Sequence, residues 1–315
     1  MSAMRILSMK NKKIVYGLLV VVLLAVLAFV SYKGLAFVMD KYHYLRDTVT
    51  EINNNTKDIV KKYDLDYSWM KGNSLVAHAF GGKGTKTYTN ALEAFEYNYE
   101  LGHRVFEVDF DLTTDNKTIC SHDEDYWRYI TGNEESDVEY SYEVFKTTPL
   151  FTDYTPMDYM DIVDLLHNYP DIYIITDTKY ADELSVYKQF SQIVDYAKET
   201  DPEVLDRIIP QFYTKEMLDY VMNVYPFKSA IFTLYQITWD AEDIAKFCIK
   251  SGVKYITVSS SIIDTEVIDL WRSMGIHVAV HTVNEKEEAD SFYNKGVEMI
   301  YTDFLLPERD VNSEE

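Results

Sequence analysis

Cysteine is scarce: there are two in 315 residues. That number excludes a disulfide framework and a zinc site built on thiolates. Eleven glycines and seven prolines exclude collagen-like and low-complexity chains. Positive charge is also short, with 30 Lys and Arg against 52 Asp and Glu, a net charge of -22. A nucleic-acid partner is therefore not expected, because its phosphate backbone demands a positive field. Apolar residues make up 47% of the chain and aromatics 15%, including 27 tyrosines. Such a chain can bury a substantial core, as one large domain or two small ones.

One apolar run stands apart. Ile14 to Tyr32 carries no charged residue and has the length a bilayer core requires. Arg5, Lys10, Lys12 and Lys13 precede it, so the positive-inside rule keeps residues 1–13 cytoplasmic and sends the rest outside. A cleaved signal peptide is the rival reading. Its apolar region is normally shorter and ends in a small-x-small site, which is not evident here. The expectation is a single-pass protein of the cell membrane, with a transmembrane helix at 14–32 and an extracytoplasmic C-terminal domain. Residues 33–72 read as a juxtamembrane stalk, with Leu35, Val38, Tyr42, Leu45, Val49 and Ile52 at helical spacing before Asn53-Asn54-Asn55. Asn54-Asn55-Thr56 is formally a glycosylation sequon. Cys120 and Cys248 sit in apolar contexts and are expected as two buried thiols.

From residue 73 to 307 short β-rich runs alternate with amphipathic helical segments, the pattern of a parallel α/β fold. Candidate strands are Leu75–Ala79, Val105–Asp109, Thr118–His122, Ile172–Thr176, Arg207–Phe212, Ala230–Leu234, Tyr255–Val258, His277–Thr282 and Met299–Thr302. About 235 residues of strand–helix units suit a (β/α)8 TIM barrel, followed by an acidic tail at 308–315. Nine candidates for eight places make one of them a hairpin arm. The second and third lie too close for a helix between them. Thr155 followed by Pro156 and Asp158 suggests a helix N-cap, and Asn284 with Glu287 a capping box. Gly102, Gly252, Gly275 and Gly296 fall where helices should stop. Residues 123–154 show no clear period, which leaves a functional lid and a surface insertion equally open.

Polar residues cluster at the ends of the first strands. His78 ends the first, Glu107 and Asp109 share one face of the second, His122 closes the third, and Asp177 and Lys179 follow the fourth. The C-terminal ends of barrel strands are where active sites form. Three carboxylates can hold a hard divalent cation, and two histidines beside it can carry protons. Gln211 and His281 also fall at strand ends, without an assigned role. His43, His103, His167 and His277 read as surface or packing residues.

The order of motifs carries a resemblance. His78-Ala79-Phe80-Gly81, Thr89-Asn90-Ala91-Leu92-Glu93-Ala94-Phe95, Glu107-Val108-Asp109, Thr113-Thr114-Asp115, His122-Asp123, His281-Thr282-Val283-Asn284, Gly296-Val297 and Thr302-Asp303 together resemble the glycerophosphodiester phosphodiesterase family. The resemblance covers residues 75–307 and extends to barrel phosphodiesterases such as phosphatidylinositol-specific phospholipase C. It implies a phosphoric diester hydrolase of lipid metabolism, with His78 and His122 as catalytic acid and base. It also implies one divalent cation, Ca²⁺ or Mg²⁺, held by Glu107 and Asp109, with Asp177 as the third acid. Departures are evident. Ala79 stands where the family has arginine, Thr89 where it has glutamate, Asp177 in its Glu-x-Lys, and His281 in place of tryptophan. Loss of the arginine removes a bidentate grip on phosphate, leaving the cation and Lys179 to bind it.

The expected chemistry is cleavage of a glycerophosphodiester or phospholipid-headgroup phosphodiester, with His78 as base and His122 protonating the leaving alkoxide. Two alternatives stay open. Glu, Asp and Asp-x-Lys with two histidines also resemble the sphingomyelinase D group, which releases a cyclic phosphate. A catalytically dead barrel that binds a phosphodiester or a cell-wall polymer is the second.

Overall fold

The computed structural model describes the backbone of residues 2–308, and side chains from Phe29 to Glu308. The chain divides into two compact units, Met1–Asn55 and Thr56–Glu315. The first is one helix, α1 (Ser2–Thr56). The apolar run at 14–32 lies almost wholly outside the described side chains. Among the described residues no helix is long and apolar enough to cross a membrane.

The second unit holds nine strands: β1 (Leu75–Ala77), β2 (Val105–Leu112), β3 (Thr118–Cys120), β4 (Tyr173–Asp177), β5 (Ile208–Phe212), β6 (Ile231–Thr233), β7 (Tyr255–Ser259), β8 (His277–His281) and β9 (Met299–Thr302). Eight pair in parallel in the order β1-β9-β8-β7-β6-β5-β4-β2, and β2 pairs back to β1. The sheet is a closed (β/α)8 barrel. The ninth, β3, runs antiparallel to the end of β2. It is the hairpin arm required by nine candidates for eight places, and it carries His122 to the mouth without being a barrel stave.

Helices α2 (Leu92–Glu100), α3 (Glu124–Thr131), α4 (Tyr142–Thr147), α5 (Tyr159–Asn168), α6 (Glu183–Thr200), α7 (Lys215–Val224), α8 (Ala241–Ser251), α9 (Thr265–Ser273) and α10 (Lys286–Asn294) complete the unit. Two expected caps are displaced. The α5 cap is Asp158, which exchanges capping-box bonds with Asp161, because the Thr155 hydroxyl is committed to Glu93 at 2.7 Å. No side chain caps α10, because Asn284 is bonded to Thr302 and Asp303. The four helix-stopping glycines all adopt positive φ, the region in which a Cβ is costly.

Residues 123–154 carry two short helices and an apolar cluster of their own. Helices α3 and α4 close over their own apolar cluster of Trp127, Tyr140 and Phe145, all buried, with Ile119 beneath. Each helix is too short, at eight and six residues, to reveal a period. Both cysteines are buried and free.

The barrel interior is layered. Trp69 closes the end where the strands begin, its indole donating to Ser229 Oγ at 2.9 Å. It packs on a ring of Val76, Val105, Ile175, Ile209, Ile231, Tyr255, Ala279 and Met299. Trp69 lies within the stretch read as stalk. Strand side chains alternate between faces, so the residue two further along each strand also faces inward, one layer nearer the mouth. Those residues are His78, Glu107, Asp177, Gln211, Thr233, Thr257, His281 and Tyr301.

Candidate active site

Seven of those eight mouth-layer residues line one cleft of about 420 Å³, Thr257 lying behind. Tyr88, His122, Lys179 and Tyr235 are also among its lining residues. The cleft thus brings together every residue expected from the sequence save Asp109, which is fully buried and not among its lining residues; His122 and Lys179 reach it from beyond the ends of β3 and β4.

Asp109 and Asp177 are direct register partners on β2 and β4, and Glu107 lies two residues back on the same face. Oxygens of Glu107, Asp109 and Asp177 lie within 4.8 Å of one another, all three residues buried. Asn90 holds Asp109 in place, its amide donating to Oδ2 at 2.9 Å while its carbonyl accepts from the Asp109 backbone. The Ala79 backbone N–H donates to Glu107 Oε2 at 2.8 Å. Ala79 adopts a left-handed conformation, φ 47°, an uncommon and strained one for a residue bearing a Cβ.

Electrostatics at this cluster are frustrated without a cation. Burial, with Asp109 adjacent, pushes the Glu107 carboxyl up to about 8. Asp109 is itself held below the carboxylate range: burial works against this, but Lys179 and His78 outweigh it. Lys179 Nζ sits 2.6 Å from Asp109 Oδ1 and 2.5 Å from Asp177 Oδ2. The contact with Asp109 is an ion pair off the hydrogen-bonding direction, since Oδ1 accepts no hydrogen bond. Tyr213 and Tyr235 donate to Asp177. Three convergent buried carboxylates suit a hard divalent cation.

Both histidines are backed by carboxylates that sequence reasoning quoted but did not assign. Asp303 Oδ1 lies 2.9 Å from His78 Nδ1, which leaves Nε2 toward the cleft, 4.0 Å from Glu107 Oε2. Asn284 fixes Asp303, donating to Oδ2 at 2.8 Å and accepting its backbone N–H at 2.7 Å. Gly82 N–H also donates to the Asp303 carbonyl, and a Cβ at Gly82 would lie 2.9 Å from that oxygen. Burial pulls the His78 pKa down, but Asp303, Glu107 and Asp109 outweigh it and raise it to about 9. His122 Nδ1 lies 2.6 Å from Asp123 Oδ2, and its side chain is 37% exposed against 14% for His78. Asp123 is also the N-cap of α3. Tyr88 stands edge-on to both imidazoles, with ring centroids 4.6 Å from His78 and 5.7 Å from His122. No sequence signal singled it out.

Two carboxylate-backed histidines beside a buried acidic triad, at the mouth of a barrel, form the arrangement expected for phosphodiester chemistry. Residues 81–306 match the glycerophosphoryl diester phosphodiesterase family. The chain belongs to that family. It is accordingly a phosphoric diester hydrolase of a metal-dependent family. Solved structures share the fold. A phosphodiesterase from Oleispira antarctica, in complex with the product sn-glycerol-3-phosphate, superposes with a TM-score of 0.62 at 15% identity, covering 75% of this chain and 95% of that one. A glycerophosphodiester phosphodiesterase from Parabacteroides distasonis gives 0.59 at 16% identity, covering 74% and 93%. One from Thermotoga maritima gives 0.55 at 20% identity, covering 73% and 94%. No curated protein sequence matches the chain.

Proposed function

We propose that this protein hydrolyses glycerophosphodiesters, or the phosphodiesters of phospholipid headgroups, with a divalent cation held by Glu107, Asp109 and Asp177. The reading rests on one observation above the rest: both carboxylate-backed histidines border the same cleft as Glu107 and Asp177, whose carboxylates converge with that of buried Asp109. When bound, the cation would supply Lewis-acid stabilisation of charge on the phosphoryl oxygens. Ca²⁺ and Mg²⁺ both suit an all-oxygen donor set.

The remaining work falls to the chain's own residues. His78 presents Nε2 to the cleft with Asp303 on its other nitrogen, the geometry that orients an imidazole and stabilises its protonated form. In its neutral form it serves as base toward the attacking water, and a bound cation would favour that form by offsetting the carboxylates that raise its pKa. His122, with Asp123 behind it and more solvent around it, protonates the leaving alkoxide. Lys179 brings a positive charge to the cleft lining and supplies part of the phosphate grip that an arginine at position 79 would have given. Each proton transfer is worth on the order of 10²–10⁴ in rate.

Location supports substrates at or near a membrane. We propose that residues 14–32 anchor the chain, with the barrel outside the cytoplasm, on the apolar run and its preceding lysines.

The test is ³¹P NMR of the full-length chain with glycerophosphocholine, glycerophosphoglycerol, lysophosphatidylcholine and sphingomyelin, each with Ca²⁺ or Mg²⁺ and with chelator. A monoester signal that chelator abolishes is expected. A persistent cyclic phosphate would instead assign the chain an internal-attack mechanism. The absence of any product would favour a binding barrel.

A further inference from the structure

The two histidines of the cleft are unequally held. His78 is largely buried, and its partner Asp303 is itself fixed by Asn284. The His122 side chain is more open, and its partner Asp123 is 50% exposed. His122 also has room to move. It borders both the cleft and a second hollow of about 450 Å³, lined among others by Asp111, Asp123, Glu124, Asp125 and Tyr180. Carboxylates in that hollow attract a protonated imidazole away from the cleft.

Tyr88 stands against that pull. Its ring lies edge-on to His78 and to His122, and meets Tyr126 at 6.2 Å between centroids. Tyr126 in turn meets His122 at 6.1 Å. Aromatic pairs in such arrangements attract beyond the area they bury. The backbone that carries the ring is strained: Tyr88 adopts φ 56°, an outlier for a bulky side chain. Strain of this kind persists only where the surroundings over-determine it, and here both flanks are pinned. The Thr87 carbonyl accepts from the Tyr126 hydroxyl at 2.7 Å. Lys86 pairs with Asp153 at 2.8 Å, and Asn90 is bonded twice to Asp109. One end of the turn is thereby tied to the acidic cluster and the other to the 123–154 segment.

We infer that Tyr88 is a positioning residue whose ring, together with Tyr126, holds the His122 imidazole toward the cleft and out of the acidic hollow. The inference rests on the phosphodiesterase reading above, with His122 as the acid, and adds how that acid is kept in place. Tyr88 acts through its ring rather than its hydroxyl. His78 needs no such support, because Asp303 and Asn284 already orient it.

The experiment compares two diesters that differ in what departs. Glycerophosphoglycerol expels an alkoxide, which needs the proton of His122, whereas bis(p-nitrophenyl) phosphate expels a phenolate that is stable without one. Turnover of each by the full-length chain is measured with Ca²⁺ or Mg²⁺ and with chelator. Tyr88→Leu should lower kcat for glycerophosphoglycerol by on the order of 10–10²-fold, the cost of a displaced catalytic group, with KM changed far less. Its loss on the nitrophenyl diester should be much smaller, a result that also reports an intact fold. Tyr88→Phe keeps the ring and should recover most of the loss. Combined with His122→Ala, Tyr88→Leu should slow glycerophosphoglycerol no further than His122→Ala alone, because both remove one function. Equal losses on the two diesters, a Tyr88→Phe variant as slow as Tyr88→Leu, or additive losses in the double variant would overturn the inference, while chelator-sensitive turnover leaves the phosphodiesterase reading standing. If His122→Ala slows both diesters equally, the acid role and the inference fall together. If the native chain turns over neither diester, the phosphodiesterase reading falls with them.

Discussion

The two halves of the barrel mouth are built on the same pleat and do opposite things. On β1, β2 and β4 the residue two places beyond the apolar ring is His78, Glu107 or Asp177. On β5 to β9 it is Gln211, Thr233, Thr257, His281 or Tyr301. The charged half crowds three buried carboxylates together, which pushes Glu107 up to about 8. The neutral half is organised in advance by Tyr301 and Thr257. Electrostatic strain of that kind is tolerated where a ligand relieves it. One half is arranged to receive a cation and a reacting phosphate, the other is a neutral wall whose groups are already held.

The largest expected effect comes from the charged half. Chelation, or Glu107→Gln, should reduce turnover to background in a ³¹P assay, whereas chelation should leave the hydrogen bonds of Gln211 and His281 untouched. Next, His78→Ala and His122→Ala should each lower kcat by about 10²–10⁴, with KM changed far less. Asp303→Asn acts through His78. Its expected loss is smaller than that of His78→Ala, and it should shift the acidic limb of the pH–rate profile, which reports the base, to lower pH, because the neutral amide no longer supports imidazolium. A merely structural defect would scale the whole profile without moving it.

Stability against pH gives the smallest effect, and its sign is fixed. Glu107 has a folded pKa of about 8 against an ordinary 4.5, so the folded state holds a proton that the unfolded chain has lost. His78 is likewise raised, from 6.5 to about 9. Both contributions are present at low pH and are lost as pH rises, Glu107 from about 4.5 to 8 and His78 from about 6.5 to 9. The cation-free protein should therefore show a Tm that falls between pH 6 and 9, and saturating Ca²⁺ or Mg²⁺ should flatten that fall. A Tm that rises over this range would contradict the charge arrangement of the acidic half.

Much of the charged half was legible because its residues lie close in sequence. Glu107 and Asp109 are two apart on one strand, and strand alternation alone puts them on one side; Asp177 and Lys179 are also two apart, but Lys179 lies past β4 with φ 58° and reaches Asp177 by an ion pair. The carboxylates behind the histidines were harder to place. Asp303 is 225 residues from His78, and only barrel closure through the β1–β9 pairing brings them together. Asn284 looked like a helix cap because Asn is a good one, yet tertiary bonds to Thr302 and Asp303 claimed its side chain. The neutral half was visible only as two strand-end residues without a role. Its order depends on Tyr301 and Thr257, whose hydroxyls fix Gln211 and His281, and no spacing rule links these pairs. Residues 123–154 defied a period because α3 and α4, at eight and six residues, are about two turns each and are held by aromatic packing.

The most direct test is a cation titration of the full-length chain, following binding by calorimetry and glycerophosphoglycerol turnover in the same samples. The account predicts one cation per chain at the acidic triad, turnover rising in step with occupancy, and loss of both in Glu107→Gln. Turnover that persists without a cation, or Glu107→Gln binding the cation as the native chain does, would contradict it.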